Sequence, residues 1–265
     1  MLFFLQKITL SVKCKIELNG FFKMNSVLNS PPDSPSRVDV GTMFDALASR
    51  YDRINQLISL GVDRYWRRQL TLHVPRGRPI DLLDVATGTG RQLIEIMERV
   101  PEVKSALGID LSPCMIEVGN KRLTRKPYAH RATLALGDAI AIALKDNTVD
   151  CVTIAFGIRN VLCPKTFLRE AYRVVKKEGR LIVLEFSLPT RRWLRACHLI
   201  YLRHFLPRIG ALLSKHKQAY RYLNQTIETF PYGAPFCRLI EQAGFQQVRF
   251  FPLTFGIATL YIGEK

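Results

Sequence analysis

Acids are scarce in this sequence of 265 residues: 22 Asp and Glu stand against 39 Lys and Arg, a formal net charge of +17. Such an imbalance points to an anionic surface nearby, nucleic acid or phospholipid, beside the plain reading of a solvated basic exterior. Closely spaced cysteine pairs are also missing. Cys14, Cys114, Cys151, Cys163, Cys197 and Cys237 include no C-x-x-C spacing. That argues against a zinc site and a disulfide framework, and predicts a reducing compartment and no metal. No internal repeat or low-complexity tract is present, and the 48% hydrophobic and 23% charged composition is that of a globular chain with one substantial core.

The first 23 residues contain an apolar run broken by Lys7, far short of the roughly 20 apolar residues that span a bilayer. They lack Arg and a small-residue cleavage site, so they do not read as a leader. A second methionine, Met24, precedes a polar, turn-rich stretch. The expectation is that translation starts at Met24 and that residues 1–37 form a disordered extension outside a domain of residues 38–265.

From Val40 to Leu60, apolar residues recur at helical spacing, with Gly61 as a stop and Asp63 as a cap for a second helix through DRYWRRQLTLHV. Strands then alternate with helices: IDLLDVA (80–86), SALGID, ATLALGD, VDCVTIAF and RLIVLEF are separated by RQLIEIMERV, PCMIEVGNKRL and PKTFLREAYRVVKKEG. The last helix is expected to run to Gly179. Alternation of this kind builds a parallel sheet with helices on both faces. QQVRFFPLT and GIATLYIGEK, joined at Phe255-Gly256, read as a closing hairpin. The expected fold is α/β: a Rossmann-like, mostly parallel seven-stranded sheet with a C-terminal antiparallel hairpin, the architecture of class I S-adenosylmethionine methyltransferases.

The turn after the first strand, Asp84-Val85-Ala86-Thr87-Gly88-Thr89-Gly90, is where chemistry is expected. Gly88 and Gly90 let backbone approach a ligand closely, and the helix start offers free N–H groups. Asp110, at the end of the second strand, suits a pair of vicinal hydroxyls. Leu93 stands where a dinucleotide fingerprint needs Gly or Ala, which disfavours NAD. Gly137-Asp138-Ala139 after the third strand supplies a third station, with an acid able to accept from an adenine amino group. Together the three stations favour S-adenosylmethionine.

Three segments then carry a resemblance: FDALASRYDRINQLISLGVDRYWRR (44–68), DNTVDCVTIAFGIRNV (146–161), and LPRIGALLS with YRYL (206–223). From about Met43 onward the chain resembles the UbiE/Coq5 (MenG) family of quinone C-methyltransferases. The resemblance implies that Thr89, Asp110, Asp138 and Ala139 contact S-adenosylmethionine. It also implies methylation of a ring carbon of a prenylated quinol in menaquinone or ubiquinone biosynthesis, demethylmenaquinol being preferred. Arg91 and Ala155 depart from the family's pattern, where Asp commonly follows TG and Ser often precedes FG.

A ring carbon becomes nucleophilic once a neighbouring phenol loses its proton, so the site needs a base or a cation to hold the phenolate. Arg159 and Asn160 are the candidates, Arg159 as a cation or a water-polarising group, since arginine is a poor base; its bland alternative is a salt bridge that shapes the loop. Tyr51 and Asp52 are candidates to cover the substrate, with Asp52 taking a proton through water; packing is the alternative for Tyr51.

From Thr190 to Tyr222 there is no acid. Eight cationic residues, from Arg191 to Arg221, interleave with Trp193, Leu199, Ile200, Tyr201, Phe205 and Leu212. This insertion, about 188–225, is expected to be a basic amphipathic lid that meets an anionic membrane surface, or else a solvated helix packed on the sheet. The expected location is bacterial cytoplasm with peripheral contact to the inner membrane, an organelle being the alternative, and the expected partners are the quinol, other quinone-biosynthesis proteins or a second copy. The rival readings are an RNA methyltransferase, for which no RNA-binding module is seen, and a non-catalytic S-adenosylmethionine-binding protein.

Overall fold

The computed structural model describes residues 45, 52, 55–56, 59–205, 208 and 217–265, with side chains from 223 onward in the last stretch. The expectations for residues 1–37, Tyr51 and the stretch 209–216 lie outside the described residues. Of the expected first helix, Asp45, Asp52, Asn55 and Gln56 are helical, and Ser59 and Leu60 form a turn, with Leu60 at positive φ.

Seven strands form one sheet in the order β3-β2-β1-β4-β5-β7-β6. They are β1 (Ile80–Val85), β2 (Val103–Asp110), β3 (Ala132–Leu136), β4 (Val149–Ala155), β5 (Val175–Phe186), β6 (Gln246–Leu253) and β7 (Ala258–Glu264). Pairings among β1 to β5 are parallel, whereas β7 runs antiparallel to both β5 and β6. The reversal is made over Thr254, Phe255 and Gly256, all at positive φ. Phe255-Gly256 is thus the turn expected of the closing hairpin. Strand order changes direction between β1 and β4, and in open α/β sheets ligands bind beyond the carboxyl ends of strands at such a point.

Alternation along the strands splits the core between two faces. Ile80, Leu82, Cys151, Ile182, Leu184, Leu260 and Ile262 pack with α1 (Val62–Thr71), α2 (Arg91–Arg99) and α3 (Pro113–Leu123). Leu83, Val85, Val152, Ile154, Leu181, Val183 and Tyr261 pack with α4 (Pro164–Val174) and α7 (Ala234–Gln242). Between β5 and α7 come α5 (Arg192–Ile200), a π-helical turn at Tyr201–Phe205, and α6 (Lys217–Thr229).

Two local expectations are corrected. The helix after β4 ends at Val174, not Gly179, because Asn147 and Thr148 donate their backbone N–H groups to the carbonyls of Arg173 and Val174 (2.9 and 2.7 Å). Val175, β-branched, already pairs with Val149; residues 176–179 bulge outward, with Glu178 at positive φ, and pairing resumes at Arg180. Asp63 does not cap α1. Gly61 occupies the N-cap at φ 79, and Asp63 sits buried in the first turn beside two arginines.

Candidate active site

The two strands that flank the switch point end alike. Ala86, the first residue past β1, and Phe156, the first past β4, both adopt positive φ (50 and 60), a conformation that costs energy for a residue with a side chain. The two turns also touch: a Cβ placed on Gly157 would stand 2.6 Å from the Ala86 Cβ. FGIRN therefore lies directly against the turn that follows β1, and only glycine permits that approach.

Beneath the β1 turn, Asp84 is buried and accepts hydrogen bonds from the Thr87 and Thr153 hydroxyls, 2.6 Å each. Burial pushes its carboxyl up to about 6, against the pull of the two hydroxyls. Gly88 and Gly90 take φ 56 and 72, and Gly90 is the N-cap of α2. Across from them Asp110 accepts from the backbone N–H of Gly88 (2.8 Å) and of Ser112 (2.9 Å). Its carboxyl is held above the ordinary carboxylate range by burial, which outweighs those amides. At the third station the Asp138 carboxylate accepts from Ile140 N–H (3.1 Å), Ala139 is buried, and Gly137 donates to the Asp110 carbonyl. Asp84, Gly88, Gly90, Asp110, Asp138 and Ala139 thus share one edge, at the ends of β1, β2 and β3.

Thr89 and Asp52 are brought to the same place. Thr89 donates its hydroxyl to the Asp52 carboxylate (2.8 Å), and Arg122 on α3 pairs with the same oxygen (2.5 Å). Ser112, the N-cap of α3, also donates to Asp45. Asp52 therefore sits over the β1 turn, and no described hydrogen bond or ion pair joins it to Arg159 or Asn160. Tyr51 lies outside the described residues.

Arg159 and Asn160 lie in a 3₁₀ turn, Ile158–Asn160, past β4. The Arg159 side chain is 6% exposed and donates through Nη1 to the Phe156 carbonyl (2.7 Å) and to Glu185 Oε1 (2.6 Å). Its guanidinium carbon lies 5.2 Å from the centre of the Phe186 ring. Phe156, Phe186 and Trp66 pack with centroid separations of 4.6–5.9 Å, and the Trp66 indole N–H donates to the Thr254 hydroxyl (2.7 Å).

Sequence reading missed four partners: Glu185, Arg122, Thr153 and Asp63. Asp63 gives Arg91 an ion pair at 2.7 Å, so the cation at this departure from the family pattern is charge-paired from α1. A signal existed only for Glu185, a lone acid near the end of the otherwise apolar run LIVLEF.

The donor set fits S-adenosylmethionine. Asp110 offers a carboxylate to two adjacent hydroxyls, the start of α2 offers backbone amides to a carboxylate beside the turn that Gly88 and Gly90 shape, and the Asp138-Ala139 turn offers an acceptor beside apolar surface. Among the described residues no group of three or more His, Cys, Asp or Glu side chains is placed to hold a metal ion.

A sequence model of the ubiE/COQ5 methyltransferase family matches residues 33–265. The "Ubiquinone/menaquinone biosynthesis C-methyltransferase UbiE" of Geotalea uraniireducens is 40% identical over 223 residues, 84% of this chain and 94% of that protein. The "Demethylmenaquinone methyltransferase" of Bacteroides fragilis is 39% identical over 234 residues, 88% and 95% of the two chains. Among solved structures, an S-adenosylmethionine-dependent methyltransferase from Thermotoga maritima superposes with a TM-score of 0.57 at 21% identity, covering 84% of this chain and 99% of that one. The [4+2]-cyclase SpnF superposes equally well, TM-score 0.57 at 16% identity, covering 89% and 99%. That a cyclase shares the fold shows that architecture alone does not select the reaction.

Proposed function

The chain belongs to the ubiE/COQ5 methyltransferase family, and from that membership we propose how its carboxyl edge methylates a quinol ring. It is an S-adenosylmethionine-dependent C-methyltransferase of menaquinone or ubiquinone biosynthesis. Within that activity the preferred substrate is a demethylmenaquinol, converted to menaquinol.

The observation that carries the mechanism is the contact of Gly157 with Ala86, which sets a buried cation, Arg159, next to the turn that receives the methyl donor. When bound, S-adenosylmethionine supplies an electrophilic methyl on a positively charged sulfur. Asp110, Asp138 and Ala139 hold the adenosyl end; Gly88 and Gly90 shape the turn so that the amides at the start of α2, beside Thr89, face the amino-acid end. Asp84 acts from below by fixing Thr87. Arg159 holds the ring oxygen as phenolate, which raises electron density on the neighbouring ring carbon. With the donor bound, that carbon would take the methyl while the electron pair of the broken bond stays on sulfur, and the ring would give its own hydrogen to water as a proton and so regain aromaticity. Asn160, whose Oδ1 is buried without a hydrogen-bond partner among the described residues, is placed to orient the quinol hydroxyls. Positioning of carbon against methyl supplies much of the acceleration.

The substrate's prenyl tail lives in lipid, and the insertion between β5 and α7 suits a membrane surface. Arg191, Arg192, Arg195 and Arg203 are exposed there alongside Trp193 (63%), Ile200 (52%) and Phe205 (56%). Basic groups around exposed aromatic and aliphatic side chains match an interfacial helix. α6 packs against the Ile158–Asn160 turn, so this segment also borders the reacting groups. Among the described residues no helix is long and apolar enough to cross a membrane.

Labelled S-adenosylmethionine incubated with purified protein should transfer methyl to a demethylmenaquinol in mixed vesicles, and not to total RNA. Label in RNA, or in neither, would overturn the substrate assignment.

A further inference from the structure

Glu185 is the penultimate residue of β5, and its side chain is entirely buried. A carboxylate withdrawn from water persists only where donors answer it. Three do: Arg159 Nη1 at 2.6 Å and Phe186 N–H at 2.8 Å on Oε1, and the Arg159 backbone N–H at 3.3 Å on Oε2. Glu185 therefore grips Arg159 at both its main chain and its guanidinium. The Phe156 carbonyl takes a second hydrogen bond from Nη1, and the Phe186 ring lies under the guanidinium. These restraints fix both the plane and the direction of the cation.

They also leave part of it unused. Arginine carries five N–H donors in a rigid fork, and the described contacts engage Nη1 alone. Nε is buried and has no hydrogen-bond partner among the described residues. A charged donor kept buried and unanswered is costly, and such groups are kept where a ligand answers them. The parallel register, with Ala155 opposite Leu184, brings the end of β5 alongside the FGIRN turn, so the acid and the cation meet by strand pairing.

We infer that Glu185 is a positioning residue for methyl transfer. It sets the rotamer of Arg159 so that the Nε edge faces the quinol oxygen, and it balances the buried positive charge until the phenolate arrives. This rests on the reading that Arg159 stabilises the phenolate. The same acid has no described contact with the residues proposed to hold S-adenosylmethionine, so its removal acts on turnover and not on cofactor affinity.

The test compares wild type, Glu185→Gln, Glu185→Asp, Arg159→Ala and the double variant Arg159→Ala/Glu185→Gln. Readouts are kcat and KM with a demethylmenaquinol in vesicles, cofactor Kd by calorimetry, and thermal melting. Glu185→Gln is expected to lower kcat about 10²-fold, the loss typical of a reacting geometry displaced by an ångström, with cofactor Kd unchanged. In the Arg159→Ala background the same substitution should cost less than about twofold, because the group it positions is already gone. Glu185→Asp keeps the charge that balances Arg159 but withdraws the carboxylate by one methylene. It therefore supplies a folded variant should Glu185→Gln melt below assay temperature, with a kcat loss of about tenfold or more expected from the same misplacement. Wild-type kcat in a folded Glu185 variant, or an equal loss in both Arg159 backgrounds, overturns the inference. Absence of methyl transfer to quinol by the wild-type protein would instead sink the underlying reading.

Discussion

On the β1–β3 side of the carboxyl edge the three acids at the strand ends accept hydrogen bonds from small neutral donors: Asp84 from two threonine hydroxyls, Asp110 from the amides of Gly88 and Ser112, Asp138 from the amide of Ile140. The β4–β5 side is built from other materials. A buried guanidinium stands against one carboxylate and an aromatic ring, and beyond it runs the acid-free stretch from Thr190 to Tyr222. The first side suits a compact polar molecule with hydroxyls and an amine to satisfy. The second suits an oxyanion carried on a long apolar tail. Affinity for the methyl donor and reactivity of the acceptor should therefore be separable by mutation.

The sharpest break is Arg159→Ala. Removing a preorganised donor to developing charge costs about 10²–10³-fold in kcat, and S-adenosylmethionine affinity measured by calorimetry should stay within about twofold. Loss of cofactor affinity instead would merge the two sides. The mirror experiment is Asp110→Ala. Two hydrogen bonds to a charged acceptor are lost, so cofactor Kd should rise about 10- to 100-fold, while kcat at saturation changes little.

A smaller effect is expected from pH. Because Asp84 is held at about 6, above its ordinary 3.8, the folded chain binds this proton more tightly than the unfolded chain does. Its contribution to stability therefore falls as pH rises from about 3.8 to 6, and the full penalty, on the order of 3 kcal/mol, stands above that window. Asp84→Asn should flatten the dependence of the melting temperature on pH across it. If ionised Asp84 favours the positively charged sulfur, cofactor Kd should be roughly tenfold weaker at pH 5 than at pH 7.5 in the wild type, and level in the variant. The smallest effects belong to the basic insertion: Arg192→Ala or Arg195→Ala should each weaken cosedimentation with anionic vesicles about fivefold, near 1 kcal/mol per charge. Binding to neutral vesicles should not change.

What the sequence made legible follows from range. The β1 turn, Asp110, Asp138 and FGIRN are read from residues adjacent in the chain, each at the end of an apolar run, and all stand at one sheet edge. The boundary at Val174/Val175 was not legible, because the polar residues 176–179 continue a helical pattern while the carbonyls that end the helix are taken by Asn147 and Thr148. Glu185, Asp63 and Arg122 were hidden for a deeper reason. Their partners lie 26, 28 and 70 residues away, and strand register or helix packing brings them together. Asp52 shows the same limit: its place in the N-terminal segment suggested the substrate side, but Thr89 and Arg122 draw it to the β1 turn.

The hydrogen bond from Trp66 to Thr254 joins the first described helix to the last turn of the sheet. During translation the β1 turn is made long before residue 254, by an interval on the order of 10–30 s at ordinary elongation rates. Until Thr254 leaves the ribosome, the indole that backs Phe156 and Phe186 lacks its hydrogen-bond partner. The order of synthesis thus puts the aromatic contacts of Trp66 ahead of the hydrogen bond that fastens its indole.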